Sequence, residues 1–146
     1  MSARGSLGIR AVLIAIVVVG LAIDAYVHFH LAGASSFKGN KTSTVSEADL
    51  FRVEAVAAIL AAVAVLVRPN RYTAAFAFLV AAAGTVAVIL YRYVNVGKIG
   101  PIPNMYDPFW GPTEKWVSAW AEGAAALAAL ALLVMFSVRT RRRVAA

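Results

Sequence analysis

The sequence predicts an all-α fold, an integral membrane four-helix bundle with both termini in the cytoplasm. Of its 146 residues, 62% are hydrophobic and 14% are charged, whereas about 25% of residues are charged in an ordinary soluble domain. Four apolar stretches each approach the roughly 20 residues that a helix needs to cross the hydrocarbon core of a bilayer. Basic residues gather at the ends of these stretches, as they do beside membrane spans.

The first predicted span covers about residues 8–32. Arg4 and Arg10 precede its apolar core, an arrangement that also opens secretory signal peptides. Such a peptide needs a cleavage site of small residues after the core, and Ala22–Ala25 is a poor one because it contains an isoleucine and an aspartate. Apolar residues resume beyond it, so we expect a retained membrane span.

The second span, about residues 48–67, follows an outer loop at residues 33–47 that is rich in serine, threonine, glycine and lysine. Ser46 and Asp49 are three residues apart, which is the spacing of a capping box at a helix start. The span ends at residues 68–71, whose proline and asparagine stop a helix and turn the chain. A turn this short predicts an antiparallel hairpin of the second and third spans.

The third span covers about residues 72–94 and the fourth about residues 114–138, with a second outer loop at residues 95–113. In this loop, glycine and proline are interspersed with aromatic and aliphatic residues. Because so much apolar character argues against disorder, we expect it to lie on the membrane surface as a lid over the bundle. Small residues at Ala81–Gly84 and Gly123–Ala126 predict close packing of the membrane helices.

The basic residues near the span ends predict the orientation. One side has eight arginines and no acid, and the positive-inside rule places that side in the cytoplasm. The eight are Arg4, Arg10, Arg68, Arg71, Arg139, Arg141, Arg142 and Arg143. The six on the other side are Lys38, Lys41, Arg52, Arg92, Lys98 and Lys115. Anchoring in anionic lipid explains the net charge of +7 more simply than nucleic acid does. The predicted partner is therefore the lipid bilayer of the plasma membrane, with a larger membrane complex or a homo-oligomer left open.

Three acids and a histidine fall inside the predicted spans near a common depth. With a helical rise of about 1.5 Å per residue, Asp24, Glu54 and Glu122 each lie roughly 9–12 Å below the outer boundary. His28 stands one turn from Asp24 on the same face, since positions i and i+4 align. His30 points to nearly the opposite side. Ionisable groups are costly inside a membrane and mark functional sites by default.

These groups predict an outward-opening polar pocket between the helices. Arg92 shares a stripe of the third span with Gly84 and reaches the same chamber, while Tyr91 and Trp120 are candidate walls. The candidate pocket residues are Asp24, His28, Glu54, Tyr91, Arg92, Trp120 and Glu122. An alternative is that the groups satisfy one another, with Arg52 and Arg92 neutralising two carboxylates and the third protonated, so that the network only fixes helix register.

Several chemistries fit the pocket. Asp24, His28, Glu54 and Glu122 resemble the carboxylate and imidazole ligands of divalent metals in helical bundles, although the Glu-x-x-His pairs of diiron proteins are missing. Haem is disfavoured because the two histidines point apart. A quinone pocket or a proton relay suits the same groups. The absence of cysteine excludes thiolate sites, and we find no phosphate loop or hydrolase motif that would identify catalytic residues.

The stretches Gly20–Ala32, Ala48–Ala58 and Glu122–Ala126 resemble those of a group of small four-span membrane proteins of high-GC Gram-positive bacteria. The resemblance implies a bacterial plasma membrane and four helices, and it lends no mechanism. We therefore expect a small accessory or ligand-binding membrane subunit that is not an enzyme. A metal-dependent or quinone-linked redox enzyme is one alternative. Proton-coupled transport is another, and it would require an oligomer because four helices without a repeat make a thin carrier.

Overall fold

A computed structural model describes residues 3–34 and 44–144, with side chains described for residues 7–34 and 44–138. Within these residues the chain forms four helices, α1 (Ala3–Gly33), α2 (Glu47–Val67), α3 (Arg71–Tyr93) and α4 (Thr113–Val144). Residues 35–43 of the first predicted outer loop, with Lys38 and Lys41, lie outside the described residues. So do the side chains of Arg4, Arg139 and residues 141–143.

The all-α prediction is confirmed for the described part of the chain, where each helix contains a stretch long and apolar enough to cross a membrane. The bounds of α2 and α3 agree with the predicted spans to within one residue. In contrast, α1 begins at Ala3 rather than at residue 8, and α4 continues to Val144 rather than ending at residue 138. Both extensions contain arginine, a good helix former, so the helices continue past the apolar segments.

Two capping boxes fix the starts of α2 and α3. The predicted box at α2 is confirmed, because Ser46 Oγ accepts from the Asp49 backbone N–H at 3.1 Å and the Asp49 carboxylate accepts from the Ser46 N–H at 3.2 Å. At α3, Asn70 Oδ1 accepts from the N–H groups of Tyr72 and Thr73 at 2.8 and 3.2 Å. These side chains satisfy amides that have no partner inside the helix. The connection between α2 and α3 is consequently a short turn.

The helices form a closed ring. Each packs against the next one along the chain, and α4 packs against α1 to close the ring. Helix α1 packs against α2 and α4, and α3 packs against α4 and α2. The centre is built mainly from alanine, with larger buried side chains at Val17, Leu21 and Leu132. Large apolar side chains also cover the outside of the bundle, where Val67 and Leu127 are mostly exposed. An apolar surface around an equally apolar core is the composition that suits a lipid environment.

Helices α1 and α4 approach each other closely at Gly20. A Cβ atom at this position would lie 2.7 Å from the carbonyl oxygen of Ala121 and 2.9 Å from Cβ of Ala125. The two backbones are therefore in direct contact, as small residues allow in membrane helices. Ala81 is fully buried, in agreement with the predicted packing role of its segment. Gly123 does not contribute in this way, because a Cβ there would have no neighbour within 4 Å.

The two ends of the bundle differ in the segments that they contain. At one end, Arg10 Nη2 donates to the carbonyl oxygen of Pro69 at 3.4 Å, and its guanidinium lies 4.9 Å from the centre of the Phe136 ring. This end, which holds the α2–α3 turn, is called the turn end below. The opposite end holds residues 94–112, the connection between α3 and α4, and is called the loop end.

Hydrogen bonds hold the α3–α4 loop against the loop end. Ile99 and Ile102 exchange backbone hydrogen bonds of 3.1 and 2.9 Å around a tight turn, in which Gly100 has a φ of +56° that favours glycine. Lys115 Nζ donates to Asp107 Oδ2 at 2.7 Å and to the Asp107 carbonyl at 3.2 Å, which ties the loop to α4. The loop thus covers this end of the bundle, whereas its location at a membrane surface stays a prediction.

Candidate functional site

A cavity of about 460 Å³ opens at the loop end, between the helices and the α3–α4 loop. Its upper wall is formed by loop residues that include Ile102, Met105 and Tyr106. Side chains from all of the described helices form the rest of the wall, which is predominantly apolar. Ligand sites of small molecules typically have about this volume and combine apolar walls with a few polar groups.

One group of polar side chains in the cavity wall lies at its deep end, which we call the floor: His28, Glu54, Ser118 and Glu122, with Asp24 behind them. Ser118 Oγ lies 2.6 Å from Glu122 Oε1 and 3.1 Å from Asp24 Oδ1. A hydroxyl has one proton and donates to one of these oxygens, so the second contact is satisfied when that carboxyl group is itself protonated. Ser118 therefore links an acid of α1 with an acid of α4.

Asp24 orients the imidazole of His28. The His28 Nδ1 atom lies 2.6 Å from Asp24 Oδ1 and 3.1 Å from the Asp24 carbonyl oxygen. Since both neighbours are acceptors, this network assigns the proton to Nδ1 and leaves Nε2 as the second ring nitrogen. The ring also packs edge-on against Phe51, with 5.4 Å between centroids. A carboxylate that fixes an imidazole in this way is common behind metal ligands and proton-transferring histidines.

Three carboxyl oxygens at the floor have no hydrogen-bond partner among the described residues. They are Asp24 Oδ2, Glu54 Oε1 and Glu122 Oε2, and each is buried. Asp24 and Glu122 are almost completely inaccessible, with 0% and 2% of their surface exposed. An unpaired buried oxygen of this kind costs free energy and calls for an explanation, such as a bound cation or a donor.

Gly84 makes room for the carboxyl group of Glu122. A Cβ atom at position 84 would lie 2.5 Å from Glu122 Oε2 and 2.8 Å from its Cδ. The glycine of α3 therefore allows the acid of α4 to turn towards the cavity, whose wall includes both residues. The sequence indicated Gly84 as a packing residue, and in the structure it packs against the carboxyl group of Glu122 in the cavity wall.

Asp24, His28 and Glu122 are placed to hold a metal ion. Each offers one ligand atom, and these atoms all lie within 4.8 Å of one another. Two carboxylates and an imidazole form a donor set that suits divalent ions. Glu54 was predicted as a fourth ligand; it lies in the cavity wall but outside this group. An ion would have to compete with the hydrogen bond between His28 and Asp24.

The structure brings most of the predicted pocket residues together. His28, Glu54, Tyr91 and Glu122 line the cavity, and Asp24 lies behind His28. Trp120 requires a correction, because it is 71% exposed and does not line the cavity. It precedes Glu122 by two residues, and two residues of an α-helix correspond to about 200° of rotation, so the indole points away from the acid.

Arg92 also lies outside the cavity wall. Its guanidinium packs against the rings of Tyr93 and Trp110, at 5.1 and 5.7 Å from their centroids. Within the described part of the chain it forms no ion pair, and Arg52 pairs with Asp49 at 2.8 Å rather than with an acid of the floor. The predicted neutralisation of the buried carboxylates by these two arginines is therefore wrong.

Ser118 and the loop residues are site residues that the sequence reasoning did not assign. Ser118 precedes Glu122 by one turn, so the i, i+4 rule places both on one face of the fourth span, but a serine alone does not mark a site. The loop residues Met105 and Tyr106 carry no such signal, because a loop has no period from which a facing direction follows.

Comparison with known proteins gives no match, whether with a protein family model, a curated protein or a solved structure.

Proposed function

We propose that this chain is a multi-pass membrane protein that binds a small amphipathic molecule in the cavity at the loop end and does not transform it. The observation that supports this most strongly is the cavity itself, which has about 460 Å³ of space, apolar walls and a polar floor. A ligand with an apolar body and one polar head would match both parts of this surface.

The proposed membrane is a bacterial plasma membrane, with both termini in the cytoplasm and the cavity open to the outer face. The turn end supports this orientation, since it carries Arg10, Arg68 and Arg71, whereas the described acids lie towards the loop end. Basic residues of this kind are enriched on the cytoplasmic side. A role as an accessory subunit of a larger complex, or in a homo-oligomer, is compatible with a protein of this size.

Filling the cavity is expected to abolish ligand binding. Benzophenone, a neutral aromatic ketone that reacts with nearby C–H bonds on irradiation, serves as the probe in the detergent-solubilised protein. We expect labelling at cavity residues such as Met105, and Ala87→Trp should reduce it by about tenfold or more, because an indole on the cavity wall occupies part of the space that the probe needs. Mass spectrometry of the labelled peptides gives the measurement.

The matched control is Leu79→Trp on the same helix. Leu79 is 64% exposed and does not line the cavity, so this variant should be labelled like the wild type. Labelling that is spread over outward-facing residues, and is equal in the wild type and both variants, would contradict the proposed function.

A second candidate, a metal-dependent membrane protein, is favoured by the compact group of Asp24, His28 and Glu122. It predicts about one equivalent of a divalent metal in protein purified without chelators, because such a donor set binds one ion. His28→Ala should remove this metal. His30→Ala is the control, since His30 is exposed and stacks on Tyr26 away from the floor. Elemental analysis that finds no metal above the level of His28→Ala would exclude this candidate.

A further inference from the structure

We infer that the ligand of the cavity carries a positively charged ammonium group, which binds the carboxylates of the floor while an apolar body extends towards the loop. This inference rests on the proposed function, because it names the chemical class of the molecule that the cavity binds. Three features of the described residues support it: the balance of charges, the unpaired oxygens and the aromatic wall.

The first feature is an excess of acids over bases in the cavity wall. Lys115 is bound by Asp107 at 2.7 Å and by the carbonyl oxygen of Phe109 at 3.0 Å, so its charge is already compensated. Apart from this lysine, His28 is the sole basic side chain among the described residues that line the cavity. Since Asp107 is the partner of Lys115, the floor acids that line the cavity are Glu54 and Glu122, with Asp24 behind them, against His28 alone. The floor is thus complementary to a cation and repels an anion.

The second feature is the chemistry of the unpaired atoms. The three oxygens of Asp24, Glu54 and Glu122 that lack a partner are acceptors, and the last of these acids is 98% buried in the bundle. An ammonium group has three N–H donors and no acceptor, so it can satisfy several of these atoms at once. Hydrogen bonds between charged partners are also about twice as strong as those between neutral groups.

The third feature distinguishes an organic cation from a bare metal ion. The rings of Phe51, Tyr91 and Tyr106 line the cavity above the acids. Aromatic faces attract cations and also bury apolar carbon, and amine sites commonly combine them with carboxylates. Ala83 and Ala87 keep the adjoining wall small and apolar. This space fits a hydrocarbon body, whereas a metal ion would find no ligands on an apolar wall.

The test compares three molecules that share one body and differ in the charge of the head: phenylbutylamine, phenylbutanol and phenylbutyrate. Each competes with benzophenone for labelling of the full-length protein, and the same titration on Ala87→Trp corrects for partition into the micelle. We expect the amine to compete at a concentration about tenfold or more below that of the alcohol, with the carboxylate weakest, because the floor is acidic. Glu54→Gln and Glu122→Gln should each remove most of the advantage of the amine.

The alcohol should compete equally with the wild type and with both glutamine variants, because it carries no charge. Glu114→Gln is the control, since this acid lies in α4 but outside the cavity wall, and it should leave the preference for the amine unchanged. Glu122 also bonds Ser118, so Glu122→Gln could fail to fold; Glu54→Gln breaks no hydrogen bond among the described residues and tests the inference alone.

The possible outcomes separate the inference from the proposed function. If benzophenone labels the cavity and the alcohol or the carboxylate competes as well as the amine, the charge assignment is wrong and the proposed function stands. The same conclusion follows if none of the three molecules competes with a probe that labels the cavity. If benzophenone itself labels no cavity residue, the proposed function fails and the inference fails with it.

Discussion

Replacing Gly20 by leucine is expected to separate α1 from α4 and to destabilise the bundle by about 3 kcal/mol, near the upper end of the usual cost of overpacking. The reason is geometric. The first side-chain atom would already lie 2.7 Å from the Ala121 carbonyl oxygen and 2.9 Å from Cβ of Ala125, and these atoms of α4 cannot rotate away as a flexible side chain would. The helices would have to move apart, and the contact between Ser118 and Asp24 would lengthen with them.

The free energy of unfolding can be measured by denaturation of the purified protein in mixed micelles. Gly123→Leu is the matched control, because a Cβ there has no neighbour within 4 Å and the residue lies in α4, the helix that Gly20 contacts. We do not expect this control to destabilise the bundle, because the position has open space and leucine is a better helix former than glycine by about 0.5–1 kcal/mol. If Gly20→Leu were as stable as Gly123→Leu, the backbones of α1 and α4 would not touch where the structure places them.

This pair of glycines shows how much of the fold could be predicted from the sequence. The positions of α2 and α3 follow from apolar length and from local capping, both of which are properties of a single segment. The residues that pack against each glycine could not be predicted, because an apolar helix in an apolar environment has no amphipathic stripe to mark its buried face. The predicted segment Gly123–Ala126 does pack closely against α1, but through Ala125 rather than Gly123, and its partner Gly20 was not assigned from the sequence.

The floor could be predicted further than the rest of the site. Asp24 and His28 follow from the helical period, and the common depth of the three acids follows from the helical rise. The surroundings depend on tertiary structure. Arg92 was expected over the chamber, but its guanidinium lies against the ring of Trp110 in the loop. Helical geometry does not predict a contact with a loop residue.

Substitutions at Asp24 and Glu54 are expected to change stability in opposite directions. Asp24 accepts from His28 and contacts Ser118, so Asp24→Ala removes the carboxylate partner of the imidazole and opens a small void in the core. We expect a loss of about 2–3 kcal/mol in the free energy of unfolding. Glu54 has no hydrogen bond among the described residues and one of its oxygens is buried. Glu54→Leu should therefore stabilise the ligand-free protein, by about 1 kcal/mol, since it removes a desolvated and unpaired carboxyl group.

The same denaturation experiment measures both variants, and the competition experiment shows whether Glu54→Leu has lost its preference for the amine. Glu114→Leu is the control for replacing any acid by leucine, because Glu114 lies outside the cavity wall. A residue that weakens the fold and strengthens binding is retained for its ligand, whereas one that strengthens the fold belongs to the scaffold. If Glu54→Leu destabilised the protein as much as Asp24→Ala does, Glu54 would belong to a structural polar network, and the acidity of the floor would no longer indicate a cationic ligand.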